Sequence, residues 1–169
     1  MTRINRKYLE INSIGNLVES KKPSNNFSLK LLNPKDFQLN KFLYKQVGNK
    51  YKWVDRLIWS DHNWVKYISN DNLYTYILKN KNNLVGFFEL LHHEKEKEVE
   101  IVYFGLLDEY IGKKLGGYML TEAIKYSFKF KINRVWAHTS SLDHKNALNN
   151  YTLRGMKIFK EEFFEATVA

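Results

Sequence analysis

The second half of this chain holds a succession of four segments that few folds can accommodate. An apolar run, Val99–Leu107, leads into the turn Ile111-Gly112-Lys113-Lys114-Leu115-Gly116-Gly117. An amphipathic run, Leu115–Phe130, follows, and then a second strand-like run, Asn133–Thr139. Leu115, Met119, Leu120, Ala123, Ile124, Ser127 and Phe128 recur at helical spacing, so the middle run is a helix with one buried stripe. Two strands separated by a helix of this length pair in parallel through a right-handed crossover, because a tight hairpin cannot join parallel neighbours. The turn between them has a chemistry of its own. Successive backbone N–H groups at a helix N-terminus converge on one point and favour an anion there, and Lys113 and Lys114 add charge.

The first half supplies the rest of a sheet. Phe27, Leu29 and Leu31 alternate with Ser28 and Lys30, the period of a half-buried strand. Phe37, Leu39, Phe42, Leu43 and Val47 share one face of a helix over Lys35–Val47, which Gly48-Asn49 stops. Leu73–Leu78, Leu84–Leu91 and Val99–Leu107 are three strands joined by short connections, hence an antiparallel meander. After the crossover, Leu142-Asp143-His144 opens a second helix with Asp143 as N-cap, Ala147, Leu148 and Tyr151 facing inward, and Gly155 as C-cap. Met156, Ile158 and Phe159 begin a last strand, which Glu161–Ala169 either continues or trails. The fold class is therefore α/β (α+β), a mixed and mostly antiparallel sheet with one parallel pair and flanking helices.

Residues 1–26 are polar and read as a loosely held arm docking Ile11, Ile14 and Leu17 on the body, which leaves a single domain over 27–169. The charge of +9 attracts anions: nucleic acid, an acidic membrane surface or a polyphosphate cofactor. Basic residues are scattered along the chain instead of gathered in one stripe, which argues against nucleic acid. The absence of cysteine excludes disulfides, zinc–thiolate sites and a cysteine nucleophile, and no metal-ligand set is read. No apolar run approaches the ~20 residues of a membrane span, and the N-terminus lacks the apolar block of a secretory signal, so a cytoplasmic protein is expected.

Two further features bear on chemistry. Tyr51–Trp59 packs Trp53, Trp59 and a tyrosine around Asp55-Arg56, ahead of a short helix that Ser60-Asp61 caps and that carries Trp64, Val65 and Ile68. It is either a lid on the core or an aromatic pocket wall with one charge of each sign to orient a polar ligand. Glu89 interrupts an apolar strand and Glu100 stands at the entry to the next. A carboxylate there is either a solvent-facing partner of a lysine or, in a cleft, a base of raised pKa.

The order strand, helices, meander, glycine loop, helix, strand, helix, strand, together with Ile111–Gly117, Ala137-His138-Thr139-Ser140-Ser141-Leu142-Asp143-His144 and Ala147, Tyr151 and Gly155-Met156, resembles the GNAT superfamily of acyl-coenzyme A N-acetyltransferases over roughly residues 27–160. The resemblance implies a sheet whose parallel pair is splayed, and acetyl-CoA (coenzyme A) as cofactor. In the family, the loop Arg/Gln-x-x-Gly-x-Gly/Ala grips the pyrophosphate through backbone amides. Here Ile111 takes the Arg/Gln position, Lys114 the first glycine and Gly116 the second, so two of three positions depart. Gly112, Lys113, Leu115 and Gly117 complete the implied cradle, with Lys113 and Lys114 replacing the missing charge.

Tyr151 falls on the family's tyrosine, the acid that protonates the departing thiolate; a phenol near pKa ~10 suits a thiol near ~8.5. Asp143, His144 and Asn146 are implied to face the cofactor, His144 standing where many members have asparagine. The family's strand bulge, whose free amide steadies the thioester oxyanion, is assigned to Phe104-Gly105-Leu106. Glu89 and Glu100 are the candidate bases, ahead of His138, which is read as a core histidine bonded to backbone. Trp53, Asp55, Arg56, Trp59 and Glu89 wall the acceptor side, with Asp55 pairing an ammonium and Arg56 a carboxylate. The implied activity is acetylation of a small-molecule primary amine by direct attack in a ternary complex, in a monomer or a homodimer. The competing readings are a non-catalytic GNAT-shaped module contacting RNA or ribosome, and a protein N-acetyltransferase.

Overall fold

A computed structural model describes residues 1–167. The strands are β1 (Thr2–Ile11), β2 (Phe27–Leu31), β3 (Leu73–Asn80), β4 (Asn83–His93), β5 (Glu98–Leu106), β6 (Arg134–Ser140) and β7 (Lys157–Ala166). The helices are α1 (Phe37–Gly48), α2 (Asp61–Ile68), α3 (Leu115–Ser127) and α4 (Ala147–Leu153). They form one seven-stranded sheet in the order β2-β3-β4-β5-β6-β1-β7. Only β5 and β6 run parallel, around the α3 crossover; the other neighbours are antiparallel. The expected continuation of the last strand is present to Ala166, and Val168 and Ala169 lie outside the described residues.

Helix boundaries follow from local chemistry. Asp36 caps α1 by accepting from the amides of Gln38 and Leu39, and Ser60 and Asn63 form a reciprocal capping box on α2. At the end of α4, Gly155 has φ of 103°, and the bonds Met156 N–H to Tyr151 O and Gly155 N–H to Thr152 O close a Schellman motif. A side chain at Gly155 would also run into the carbonyl of Asn16. The other end of α4 corrects the sequence reading. The helix starts at Ala147 with Asn146 as N-cap, and Asp143 instead accepts from the Ser140 amide and the Thr139 hydroxyl, closing the loop after β6.

The sheet buries both faces. On one, Met119, Leu120, Ala123 and Ile124 of α3 pack on Leu90, Val99, Ile101, Val135 and Ala137. On the other, Leu43 and Val47 of α1 cover Ile77 and Phe87. A fully buried leucine or isoleucine contributes about 1.5–3 kcal/mol, so these two layers set the sheet's position between the helices. Among the described residues no helix is long and apolar enough to cross a membrane.

Two expectations are overturned here. Residues 2–11 are no loose arm: β1 is an interior strand, paired with β6 on one side and β7 on the other, with Leu9 fully buried. Its polar residues misled the reading because only Leu9 and Ile11 mark the buried face, while the other face carries Arg6 and Tyr8, half-buried, beside Ile4. The β5 bulge also lies elsewhere. Glu89 faces Tyr103 while Leu90 faces Ile101, so the extra residue is Val102 and not part of Phe104–Leu106. Gly105 serves close packing, since a Cβ there would collide with Val47 Cγ1 of α1. Gly105→Ala should therefore cost about 1–3 kcal/mol of unfolding free energy in urea titration, and Val47→Ala in the same chain should recover part of it.

Candidate active site

The cleft originates in the sheet. β5 and β6 are paired only at Glu98–Arg134, Val99–Val135 and Glu100–Trp136; beyond them the strands part, with the Val102 bulge turning β5 away. The opening is a cleft of about 900 Å³, walled by the second half of β5, the end of β6, the segment 51–59 and the start of α3.

At one end lies the glycine turn. Ile111, Gly112, Lys114, Gly116 and Gly117 line the cleft. Lys113 instead lies over the Tyr110 ring at 5.6 Å, and Leu115 is buried in the core. Lys114, the residue at the family's glycine position, holds a left-handed conformation with φ of 63°, so the turn keeps its path despite the substitution. No side chain caps α3, and its first-turn amides are left to the cleft. Asn150 of α4 ties the two helices by donating Nδ2–H to the Gly116 carbonyl at 3.1 Å. Beside it Tyr151 is 8% exposed and lines the cleft, 6.3 Å from Phe104 between ring centroids. Burial and the charge of Asp143 hold its phenol above the ordinary range, and its hydroxyl has no hydrogen-bond partner among the described residues. Asp143, His144 and Asn146 line the same wall, with His144 Nδ1 accepting from the Asn146 amide at 3.1 Å.

At the other end is the aromatic segment, held by a buried ion pair. Arg56 Nη1 donates to both Glu89 oxygens at 2.9 and 3.1 Å, with the side chains 3% and 0% exposed. Tyr67 donates its hydroxyl to Glu89 Oε2 at 2.9 Å. The rings of Tyr67, Tyr103 and Trp59 stand 4.1, 4.5 and 4.9 Å from the guanidinium carbon, with Trp64 and Tyr44 behind them. Burial opposes the charge on Arg56, but Glu89 and the surrounding phenols win and raise its pKa. Burial first and Glu89 second push the Tyr67 phenol up. Asp55 sits on the open side of this cage. Its Oδ1 accepts from Tyr44 at 2.8 Å and Tyr103 at 2.6 Å, and burial with the Asp55 contact raises the Tyr103 phenol.

The site residues expected from sequence thus divide. Trp53, Asp55, Trp59, Glu100, Phe104, Gly105 and Leu106 line the cleft together with the loop and α4 residues. Glu89 does not line it, because its carboxylate is consumed by Arg56 and Tyr67. Arg56 does line it, but the nitrogen expected to hold a ligand carboxylate is spent on Glu89. Glu100 remains at the last parallel pair, its Oε1 accepting at 3.1 Å from His93 Nε2 in the tautomer that carries the hydrogen there. His138, read as a core residue, is exposed into the cleft; desolvation there and the charge of Arg6 hold its imidazole below its ordinary value. Arg6, Tyr67, Tyr103 and Asn150 went unread. Tyr103 lay on a strand already assigned, but its period-two spacing from Ile101 pointed it to the core until the Val102 bulge broke that parity, and Arg6 came from a strand taken for an arm.

A family model, acetyltransferase (GNAT) family, matches residues 38–156. The chain belongs to this family. No curated protein sequence matches the chain. A GCN5-related N-acetyltransferase from Sphaerobacter thermophilus superposes over 95% of the chain with a TM-score of 0.73 at 11% identity, and the chain spans only 50% of that protein. Spermidine N-acetyltransferase from Vibrio cholerae, solved with CoA and spermine, matches 78% of the chain and 81% of its own length at 18% identity and TM-score 0.63. An aminoglycoside acetyltransferase from an uncultured soil metagenomic sample, solved with trehalose, matches 78% and 88% at 15% identity and TM-score 0.63. At these identities the solved structures show the GNAT fold, and the splayed parallel pair is the part of that fold from which the cleft derives.

Two outcomes follow for this GNAT domain. Arg56→Met leaves the Glu89 charge buried and unpaired and should destabilise by about 3–5 kcal/mol in urea titration, whereas Arg56→Met with Glu89→Leu should recover most of the loss. Lys114→Gly relieves the left-handed strain and should raise unfolding free energy by about 1 kcal/mol in the same assay.

Proposed function

We propose that this chain transfers an acetyl group from acetyl-CoA to a primary amine of a small molecule, by direct attack with both held in the cleft. The observation that carries the reading is Tyr151: a buried, protonated phenol without a protein partner, in the wall of the cleft opened by the strand divergence. The residues present fit coenzyme A. Uncapped first-turn amides of α3, backbone exposed at Gly116 and Gly117, and the Lys114 charge at the mouth of the loop all suit a pyrophosphate. When bound, acetyl-CoA supplies an activated acetyl group and a thiolate leaving group.

The chain's own residues then have separable tasks. Glu100 takes the proton of the acceptor ammonium, directly or through a water, because an ammonium has no lone pair with which to attack. Of the two glutamates only this one opens on the cleft. Asp55 holds the ammonium beforehand, its carboxylate fixed by two tyrosine hydroxyls. Tyr151 gives its proton to the sulfur. The oxyanion donor moves with the bulge to the backbone at Val102, the extra residue that the β4 ladder leaves without a partner; a preorganised amide of this kind contributes about 3 kcal/mol. Amine acceptors also accord with the spermidine and aminoglycoside enzymes that share the fold.

Free-thiol release with acetyl-CoA and a panel of amines tests the assignment. Tyr151→Phe should lower kcat by about 100-fold, and because the phenol's pKa is raised, loss of this acid should not limit the wild-type rate below about pH 10. Glu100→Gln should lower kcat/KM by a similar factor, about 100-fold, near neutral pH, with the loss shrinking at high pH where the acceptor is already a free amine. Full turnover by the Tyr151→Phe protein across this range would remove the acid role.

A further inference from the structure

The acceptor end of the cleft holds a second charge that the reaction does not use. Arg6 of β1 lines the cleft next to Ile4 and Phe164, its guanidinium carbon 4.8 Å from the Phe164 ring centroid. Its Nε is buried without a hydrogen-bond partner, and Arg6 forms no ion pair among the described residues. A carboxylate does lie within reach in the sheet. Glu162 is the cross-strand neighbour of Arg6, yet it accepts from the Tyr8 hydroxyl at 3.0 Å and from Lys160 at 2.8 Å. Arg6 is thus left with planar donor capacity pointing at no protein acceptor, in a wall made of an aromatic ring and an aliphatic side chain. Arg6 is half-buried and acts on Glu162 only through space, without a hydrogen bond to it, so an incoming carboxylate or phosphate would supply the charge-assisted, planar match that the fold leaves unmade.

The surroundings specify what the rest of such a ligand must be. Arg6 and Asp55 both lie close enough to His138 to act on its imidazole, with opposite sign. One end of the cleft therefore presents a negative anchor with a free Oδ2 and a positive anchor around one imidazole edge. The Arg56 guanidinium, enclosed by rings and paired with Glu89, leaves Arg6 as the cation available to a ligand from the sheet floor.

We infer that the acceptor is an amine that also bears an anionic group, a carboxylate or a phosphate, and that Arg6 is the specificity residue that receives it. The inference rests on the acetyltransferase reading above. It sets this chain apart from the polyamine and aminoglycoside enzymes of the same fold, whose named acceptors carry several cationic groups; a half-buried arginine without a hydrogen-bonded carboxylate disfavours a second ammonium at the acceptor end.

The test is a ratio measured within each protein, so that a general loss of fold or catalysis cancels. Matched amines are compared by thiol release: phenylalanine with phenethylamine, lysine with cadaverine, and glucosamine 6-phosphate with glucosamine. In the wild type the anionic member of at least one pair should have a kcat/KM about 10- to 100-fold higher, arising in KM, and the ratio should fall towards one in Arg6→Gln and be partly restored in Arg6→Lys. A preference confined to the amino acids identifies a carboxylate, and one confined to the sugar phosphate identifies a phosphate. Preference for the members that lack the anionic group, or a ratio that Arg6→Gln leaves intact, overturns the inference. So does absence of turnover on every pair while calorimetry still shows acetyl-CoA binding. Absence of acetyl-CoA binding overturns the enzyme reading itself.

Discussion

Everything functional in this molecule depends on a parallel pairing that stops early. β5 and β6 hold together over three residue pairs, from Glu98–Arg134 to Glu100–Trp136, and then separate. The cause is local. On its other edge β5 stays bonded to β4 but carries an extra residue at Val102, and the added twist of a bulge carries the strand away from β6. Continuous pairing would seal the sheet and leave the α3 amides facing a wall. Divergence instead connects the helix N-terminus, the Tyr151 phenol and the lid through one space, so the cleft is a consequence of strand geometry and not of loop length.

The charges around that space sort by whether the protein itself neutralises them. Arg56 Nη1 and Glu89 pair within a cage of rings, with Tyr67 also donating to Glu89, and so act as a rivet between the lid segment and β4. A buried pair of this kind contributes more to the position of the lid than to net stability. Asp55, Glu100, His138 and Arg6 are left facing the cleft with capacity to spare. Adjacency in sequence does not predict the distinction: the Asp55 carboxylate is exposed, whereas the neighbouring Arg56 is buried against Glu89.

Much of the fold was legible because periodicity reports burial directly. The meander, α1, α2 and the α3 crossover lie within a few residues of where the apolar pattern put them. The glycine turn was legible as a helix start, and Tyr151 as an inward-facing residue of a helix whose place in the site came from the family resemblance alone. The misreadings share a different character. β1 looked polar because an interior strand with one wet face carries half its residues polar, and nothing local says which strands it will separate. Gly105 invited a bulge because glycine marks either a bend or a close approach, and only the arrival of Val47 from α1 decides between them.

By itself, then, the sequence determined the elements from Phe27 onward, the parallel crossover and the anion-suited helix start, because each rests on spacing within a few turns of chain. The tertiary structure alone decided that β1 joins the sheet and brings Arg6 to the cleft, that Val102 opens it, and that Glu89 is withdrawn from it while Glu100 remains. Those outcomes depend on partners distant in the chain, and a side chain's charge becomes a catalytic or binding property only after the fold has settled which opposite charges can reach it.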